Sequence, residues 1–276
     1  MRLAYSTYGL QQIDPAEAID RVAAMGYQAL ELNVGDDWPT APAKLGAAAR
    51  QQLRERYLAA GFPSPVLMHL IGLCGEGEDA AAKAELLART CRLARDLSVD
   101  DGRLVVTTTL GGLPGPWESH RDRVAEAMQP YATVAADHGV TLAIEAHVGQ
   151  SLDTPDKAAW LMEAVGRDSV RLNFDHSHFH VLGIDLEHAV RRCAPWAVHT
   201  HVKDGRMVDG QVQFLLPGDG TLDLEAYFRA VAAAGITVPI TVEVSAQLWR
   251  RPDYDPWATA QRAYTAMRQG LDRASA

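Results

Sequence analysis

Four short segments in the second half of this chain each end a β-prone run with a side chain able to hold a cation. They are Thr-Leu-Ala-Ile-Glu at Glu145, Arg-Leu-Asn-Phe-Asp at Asp175, Val-His-Thr-His at His201 and Ile-Thr-Val-Glu at Glu243. Successive ones lie roughly 25 to 40 residues apart, the repeat of a strand–helix unit. Three carboxylates and one imidazole form an oxygen-rich set. It suits Mn²⁺ first, with Mg²⁺ or Co²⁺ as alternatives, in roughly octahedral geometry; Zn²⁺ fits it less well. A divalent metal held this way can chelate a carbonyl and its neighbouring hydroxyl, and can stabilise the enediolate left by proton removal.

Other residues near these strand ends could take part. His147, two residues beyond Glu145, is either a general base in its own right or a histidine at the rim. His69 closes the third strand and could hydrogen-bond substrate or serve structure. Lys203 and Arg206 could grip a phosphate, keto group or carboxylate, with solvation as the alternative. Asp204 could orient Lys203 or His201, and His199 reads as support or core. Glu31 ends the second strand as a substrate contact or a plain ion pair. Trp38, Trp117 and Trp249 lie on long loops, where they could stack on the C–H faces of a substrate or simply anchor the loops.

These residues need a scaffold that presents strand ends side by side. Short β-branched runs at 2–7, 29–34, 64–70, 103–109, 141–147, 170–175, 197–203 and 240–245 alternate with Ala-rich helical stretches. The helices read as 15–25, 45–60, 79–97, 121–138, 155–165, 185–194, 222–234 and 256–273. Asp14-Pro15, Thr154-Pro155 and Asp255-Pro256 mark helix starts, and Gly26, Gly61, Gly139, Gly166 and Gly235 mark stops. Strict alternation implies parallel strands with right-handed crossovers. Eight units, and no Gly-x-Gly-x-x-Gly after the first strand, point to a single (β/α)₈ TIM barrel over residues 1–276 rather than an open sheet. The long segments 34–44, 70–79, 109–120 and 204–221 follow strand ends and would crown the C-terminal face.

The 276 residues suffice for one such domain, and the net charge of −9 disfavours a nucleic-acid partner. No apolar run reaches membrane-spanning length, and the opening Met-Arg-Leu-Ala-Tyr is not a signal peptide, so a cytoplasmic protein is expected. Cys74, Cys91 and Cys193 are too far apart for a zinc pair and read as reduced thiols.

With these motifs the chain resembles the xylose isomerase-like barrels, which include sugar phosphate isomerases and epimerases, inosose dehydratases and, more distantly, endonuclease IV. The resemblance implies Glu145, Asp175, His201 and Glu243 as metal ligands. Asp175-His176-Ser177-His178 matches the Asp-x-x-His element, His201-Val202-Lys203-Asp204 the His-x-Lys-Asp element, and Thr241–Ser245 the closing strand. It further implies that Glu145 and Glu243 move protons on opposite faces of a substrate, and that His178 contacts a substrate hydroxyl. The chain departs from the ketose 3-epimerases in offering Ala146-His147 after the fifth-strand Glu. It departs again in continuing Gly205-Arg206 after Asp204.

The expected activity is a metal-dependent isomerase or epimerase of a keto sugar or sugar phosphate. The alternative is a lyase that uses the same enolate for β-elimination, like the inosose dehydratases or the catalytic subunits of C-glycoside deglycosidases. The expected partner is a small carbohydrate, in a homo-oligomer, with a small accessory subunit if the deglycosidase analogy holds. A three-metal phosphodiesterase would need further His and Asp ligands that the stretch after His201 lacks. A non-catalytic barrel would be expected to have lost a ligand, and all four are present.

Overall fold

The computed structural model describes residues 1–75, 79–113 and 115–276. In chain order its strands and helices are β1 (Leu3–Ser6), α1 (Pro15–Ala24), β2 (Ala29–Asn33), α2 (Ala47–Ala60), β3 (Leu67–Met68), α3 (Ala80–Asp96), β4 (Leu104–Thr109), α4 (Arg121–Asp137) and β5 (Val140–Glu145). There follow α5 (Pro155–Val165), β6 (Val170–Asp175), α6 (His176–His180), α7 (Leu186–Cys193), β7 (Ala197–Val202), β8 (Asp204–Val208), β9 (Gln211–Leu215), α8 (Leu224–Ala233), β10 (Ile240–Val242), α9 (Ala246–Trp249) and α10 (Pro256–Ser275). Eight parallel strands close into a barrel in the order β1-β10-β7-β6-β5-β4-β3-β2. Closure pairs Leu3 with Ile240 and Ala4 with Thr241.

Local chemistry sets the helix boundaries. The side chains of Asp14, Thr154 and Asp255 accept hydrogen bonds from backbone N–H groups in the first turns of α1, α5 and α10, each ahead of a proline that needs no partner there. Gly61 and Gly166 end α2 and α5 in the left-handed region, at φ 68° and 61°. Along the strands, side chains alternate between two environments. Leu30, Leu32, Leu142, Ile144, Leu172, Phe174 and Val202 join the buried apolar layer under the helices. Each such fully buried side chain contributes about 1.5–3 kcal/mol. The alternate positions, Glu31, Asn173, Asp175, His199 and His201 among them, are buried polar groups inside the barrel.

Three differences from the expected elements have physical causes. β3 is only Leu67–Met68, because Pro63 and Pro65 cannot donate to a ladder at the start of the run. β10 stops at Val242 because Ser245 turns the chain into α9, its hydroxyl accepting from the Gln247 N–H. The segment 204–221, expected as a loop, contains the antiparallel hairpin β8–β9, with Val208 paired to Gln211. Its two-residue turn is Asp209-Gly210, at φ 49° and 73°, the positive-φ pair that a tight hairpin demands. The three thiols lie in largely apolar surroundings, and burial raises Cys74 to about 11 and Cys91 and Cys193 to about 12.

Candidate metal and substrate site

Strand register brings the four C-terminal side chains to one level. Asp175 pairs with His201, and His201 with Thr241. Glu145 ends β5, and Glu243 follows β10, its N–H donating to the Val202 carbonyl at 3.1 Å. Glu145, Asp175, His201 and Glu243 each offer one ligand atom, all within 4.8 Å of one another, and all four residues are buried. The donor set of three carboxylates and an imidazole could hold a divalent cation, and its chemistry fits one.

Burial alone would raise the Glu145 carboxyl, but the His178 and His201 rings and Lys203 hold it well below the usual range. Burial likewise opposes ionisation of Asp175, and Lys203 followed by His178 reverses that. Lys203 follows His201 on the same face of the chain and is itself buried. Its ammonium group bonds Asp175 Oδ2 and Glu243 Oε2. Burial would lower its pKa, yet Asp175, Glu243 and Glu145 raise it well above the ordinary lysine value.

Beneath this cluster, deeper in the barrel, Glu31 Oε2 accepts from His199 Nε2 at 2.7 Å and His201 Nε2 at 2.8 Å. That leaves His201 Nδ1 facing the cluster, 3.3 Å from Glu145 Oε1. Asn173 Nδ2 also reaches this nitrogen, at 3.0 Å. Glu31 thus fixes which ring nitrogen of His201 is turned toward the four-residue set, a role that reading it as a substrate contact or lone ion pair did not capture. Burial opposes the Glu31 charge, and His201 and His199 overcome this to hold its carboxyl well below the usual range. Past Glu31 and His199 lies a cavity of about 430 Å³ at the opposite mouth of the barrel, bordered also by Ala4, Ala29 and Thr241.

The other expected residues divide into those at the cluster and those away from it. His178 is fully buried, with Nε2 3.5 Å from Asp175 Oδ2 and 3.7 Å from Glu145 Oε1. Among the described residues neither of its ring nitrogens has a hydrogen-bond partner. The His147 ring lies against it, centroid to centroid 3.8 Å. His147 Nδ1–H donates to the Val148 carbonyl at 2.6 Å. Burial, with His178 beside it, lowers the His147 pKa to about 4. The ring is therefore neutral near pH 7 and carries its lone pair on Nε2. His69 is also neutral, pushed down by burial to about 4. Its Nδ1–H donates at 2.8 Å to Thr90 Oγ1, whose hydroxyl donates onward to the Leu86 carbonyl.

Arg206 stands apart. It is exposed on β8, and its Nε donates to Gln213 Oε1 at 2.9 Å across the hairpin. Asp204 orients neither Lys203 nor His201. Its two oxygens accept the N–H groups of Gly205, Gly218, Gly220 and Leu222, closing the segment between β9 and α8. Trp38 and Trp249 join Tyr8 in an aromatic group with centroids 5.5 to 6.0 Å apart. Tyr8 belongs to the site's surroundings, since burial and then the Glu243 carboxylate raise its phenol. Trp117 packs instead against His120 and Trp160. Phe214 on β9 covers the cluster from the hairpin side, 5.2 Å from both the His178 ring and Lys203 Nζ. The sequence reading missed Tyr8 and Phe214, although Asp209-Gly210 signalled the hairpin that carries Phe214.

Comparison with known proteins agrees with this architecture. The family described as xylose isomerase-like TIM barrel matches residues 19–269. The chain belongs to that family. Among curated relatives it is similar to an inosose isomerase of Bacillus velezensis, 30% identical over 138 residues, 47% of each chain. It is also similar to an inosose dehydratase of Geobacillus thermodenitrificans, 27% identical over 133 residues, 43% of this chain and 45% of the relative. The matches thus span about half the length of these relatives. Among solved structures, an L-ribulose 3-epimerase superposes with a TM-score of 0.79 at 22% identity, covering 99% of this chain and 95% of that one. The IOLI protein with a bound zinc atom superposes with a TM-score of 0.77 at 19% identity, covering 100% and 98%. At these identities the structural likeness speaks for the fold.

Proposed function

We propose that this protein is a divalent-metal-dependent isomerase or epimerase of a keto sugar or sugar phosphate, removing a proton next to the carbonyl by way of an enediolate. The observation that carries the reading is the buried convergence of Glu145, Asp175, His201 and Glu243, one ligand atom each within 4.8 Å. These four would hold the ion, Mn²⁺ by preference for so oxygen-rich a set, with Mg²⁺ or Co²⁺ next. When bound, the ion would act as a Lewis acid on the substrate carbonyl and its neighbouring hydroxyl. Glu145 ends β5 and Glu243 follows β10, so each is available to take or return a proton on its own side of a substrate. His178, buried with both ring nitrogens unpartnered among the described residues, offers a hydrogen bond to a substrate hydroxyl. Lys203 offers a positive charge where negative charge develops on oxygen. His69 keeps Nε2 free for a substrate hydroxyl, since its Nδ1 is committed to Thr90.

A second reading rests on His147. Its Nδ1–H is held by the Val148 carbonyl and its pKa lies near 4, so Nε2 is an unprotonated base beside the cluster at neutral pH. A base there also serves β-elimination from a keto sugar, the chemistry of a carbon–oxygen or carbon–carbon lyase, and an inosose dehydratase is among the relatives.

NMR in D₂O of the Mn²⁺-loaded protein with ketoses, inososes and 3-keto glycosides, against an EDTA-treated control, decides between them. Deuterium entering next to the carbonyl, with all substituents retained, supports the isomerase or epimerase. An unsaturated ketone with loss of water or an aglycone supports the lyase. No metal-dependent exchange on any of these substrates overturns both.

A further inference from the structure

Lys203 stands where a lysine has to be explained. Its backbone is clamped on both sides by Ser177, whose hydroxyl accepts the Lys203 N–H at 2.8 Å and donates to the Lys203 carbonyl at 2.7 Å. The side chain is buried under Phe214 and bonds one oxygen each of Asp175 and Glu243. The atoms it uses are the decisive detail. Asp175 Oδ1 is committed to the Ser177 N–H at 2.8 Å, the cap that starts α6. Oδ2 is therefore the Asp175 atom turned toward the other three donors, and it is the atom the ammonium group holds.

Charge points the same way. Glu145, Asp175 and Glu243 carry three negative charges in one buried cluster. Such a cluster is costly without compensating cations, and it attracts any cation that can reach its oxygens. One fixed ammonium group inside it removes a third of that charge and fills part of the coordination space.

We propose that Lys203 is a built-in counter-cation of the ligand cage, competing with a divalent ion for Asp175 Oδ2 and Glu243 Oε2 and thereby setting how tightly the protein holds its metal. The idea rests on the metal-binding part of the proposed function and adds a determinant of affinity to it. It separates Lys203 from a purely structural ion pair: a structural lysine supports the cage, so its loss weakens metal binding, whereas a competitor's loss tightens it. The neutral variant also leaves three carboxylates facing one another, so the metal-free protein becomes less stable while the metal-loaded one gains.

The test is the Mn²⁺ dissociation constant of the full chain, measured by calorimetry or Mn²⁺ EPR at one fixed pH. It compares the wild type, Lys203→Met, which keeps the stem's bulk, and His201→Ala, which removes a cage donor. Melting of each is followed with EDTA and with excess Mn²⁺. The expected result is Mn²⁺ binding roughly tenfold tighter or more in Lys203→Met. It should come with a lower melting temperature in EDTA and a larger rise on adding Mn²⁺ than the wild type shows. Should Lys203→Met fail to fold, Lys203→Gln takes its place, since its amide still donates to the carboxylates. Equal or weaker Mn²⁺ binding in the neutral variant, with binding lost in His201→Ala, overturns the competition and leaves the proposed function standing. No saturable Mn²⁺ binding in wild type, Lys203→Met and His201→Ala alike overturns the metal reading, and the competition with it.

Discussion

Two carboxylate–histidine clusters lie one above the other in this barrel, and they are built from the same kinds of residue to different ends. In the lower one a single carboxylate, Glu31, is matched by two imidazole donors, His199 and His201, on its Oε2 atom. In the upper one three carboxylates share one imidazole and one lysine. The lower cluster holds the His201 ring through Glu31 Oε2, while Glu31 Oε1 is without a partner among the described residues. The upper one sets three carboxylates against one lysine and one imidazole, a charge imbalance that suits a cation. Residue type alone does not distinguish the two clusters; the number of carboxylates gathered against the available cations does.

The largest break in this comparison comes from the upper cluster. Glu243→Gln or His201→Ala should abolish turnover, by roughly a thousandfold or more, while the protein still folds. Circular dichroism alongside the D₂O exchange assay checks this, and near wild-type turnover in either variant removes the site assignment. His147→Gln should slow the reaction by roughly a hundredfold to ten-thousandfold if His147 is the base. A loss confined to elimination products, with proton exchange retained, would assign it to the lyase chemistry.

Disturbing the lower cluster should cost less. Glu31→Gln leaves His201 in the cage but loosens its tautomer, and metal affinity should fall about 10- to 100-fold. An unchanged Mn²⁺ dissociation constant would reduce Glu31 to packing.

Acid sharpens the contrast in stability rather than activity. His69, His147 and His176 are buried and neutral, each with a pKa lowered to about 4, with burial the leading cause in each. In the unfolded chain they take up protons below about pH 6.5. Between there and about pH 4 the unfolded state binds more protons, so stability rises with pH across that window and is fully present only above it. Each contributes at most about 1.4 kcal/mol per pH unit. Urea midpoints from pH 7 to 4.5 should decline, with a shallower decline in His69→Gln; an unchanged slope would place His69 outside this effect.

The smallest effect belongs to the hairpin surface. Arg206→Ala should leave turnover unchanged and stability within about 0.5 kcal/mol, since its partner is Gln213 in solvent. A marked rise in KM would instead bring Arg206 to the substrate.

How far the sequence revealed these clusters depended on distance along the chain. The barrel and the convergence of Glu145, Asp175, His201 and Glu243 were legible because period-two burial and regular spacing are local signals that recur from unit to unit. The role of Glu31 was not, because its partners lie 168 and 170 residues away and only barrel closure brings them together. Asp204 looked like a neighbour for Lys203 because the two are adjacent in sequence. Its side chain turns instead to four backbone N–H groups, three of them 14 to 18 residues downstream. Phe214 was hidden inside an expected loop whose Asp-Gly turn went unread, and Tyr8 fell just past the end of the expected strand 2–7. Lys203 was noticed as a charge able to grip substrate; that it would bond two of the four cage residues follows from strand parity and could have been drawn from its position two residues after His201.

The ring is completed where β1 meets β10, with Leu3 beside Ile240. Glu243 takes its level from β7, but Glu31 on β2 reaches His201 on β7 only across that seam. Chain-end pairing of this kind is a late, slow event in folding because loop closure comes before its reward. All four cage donors lie in the second half of the chain, so a half-built barrel emerging during synthesis carries Glu31 but none of the residues it serves.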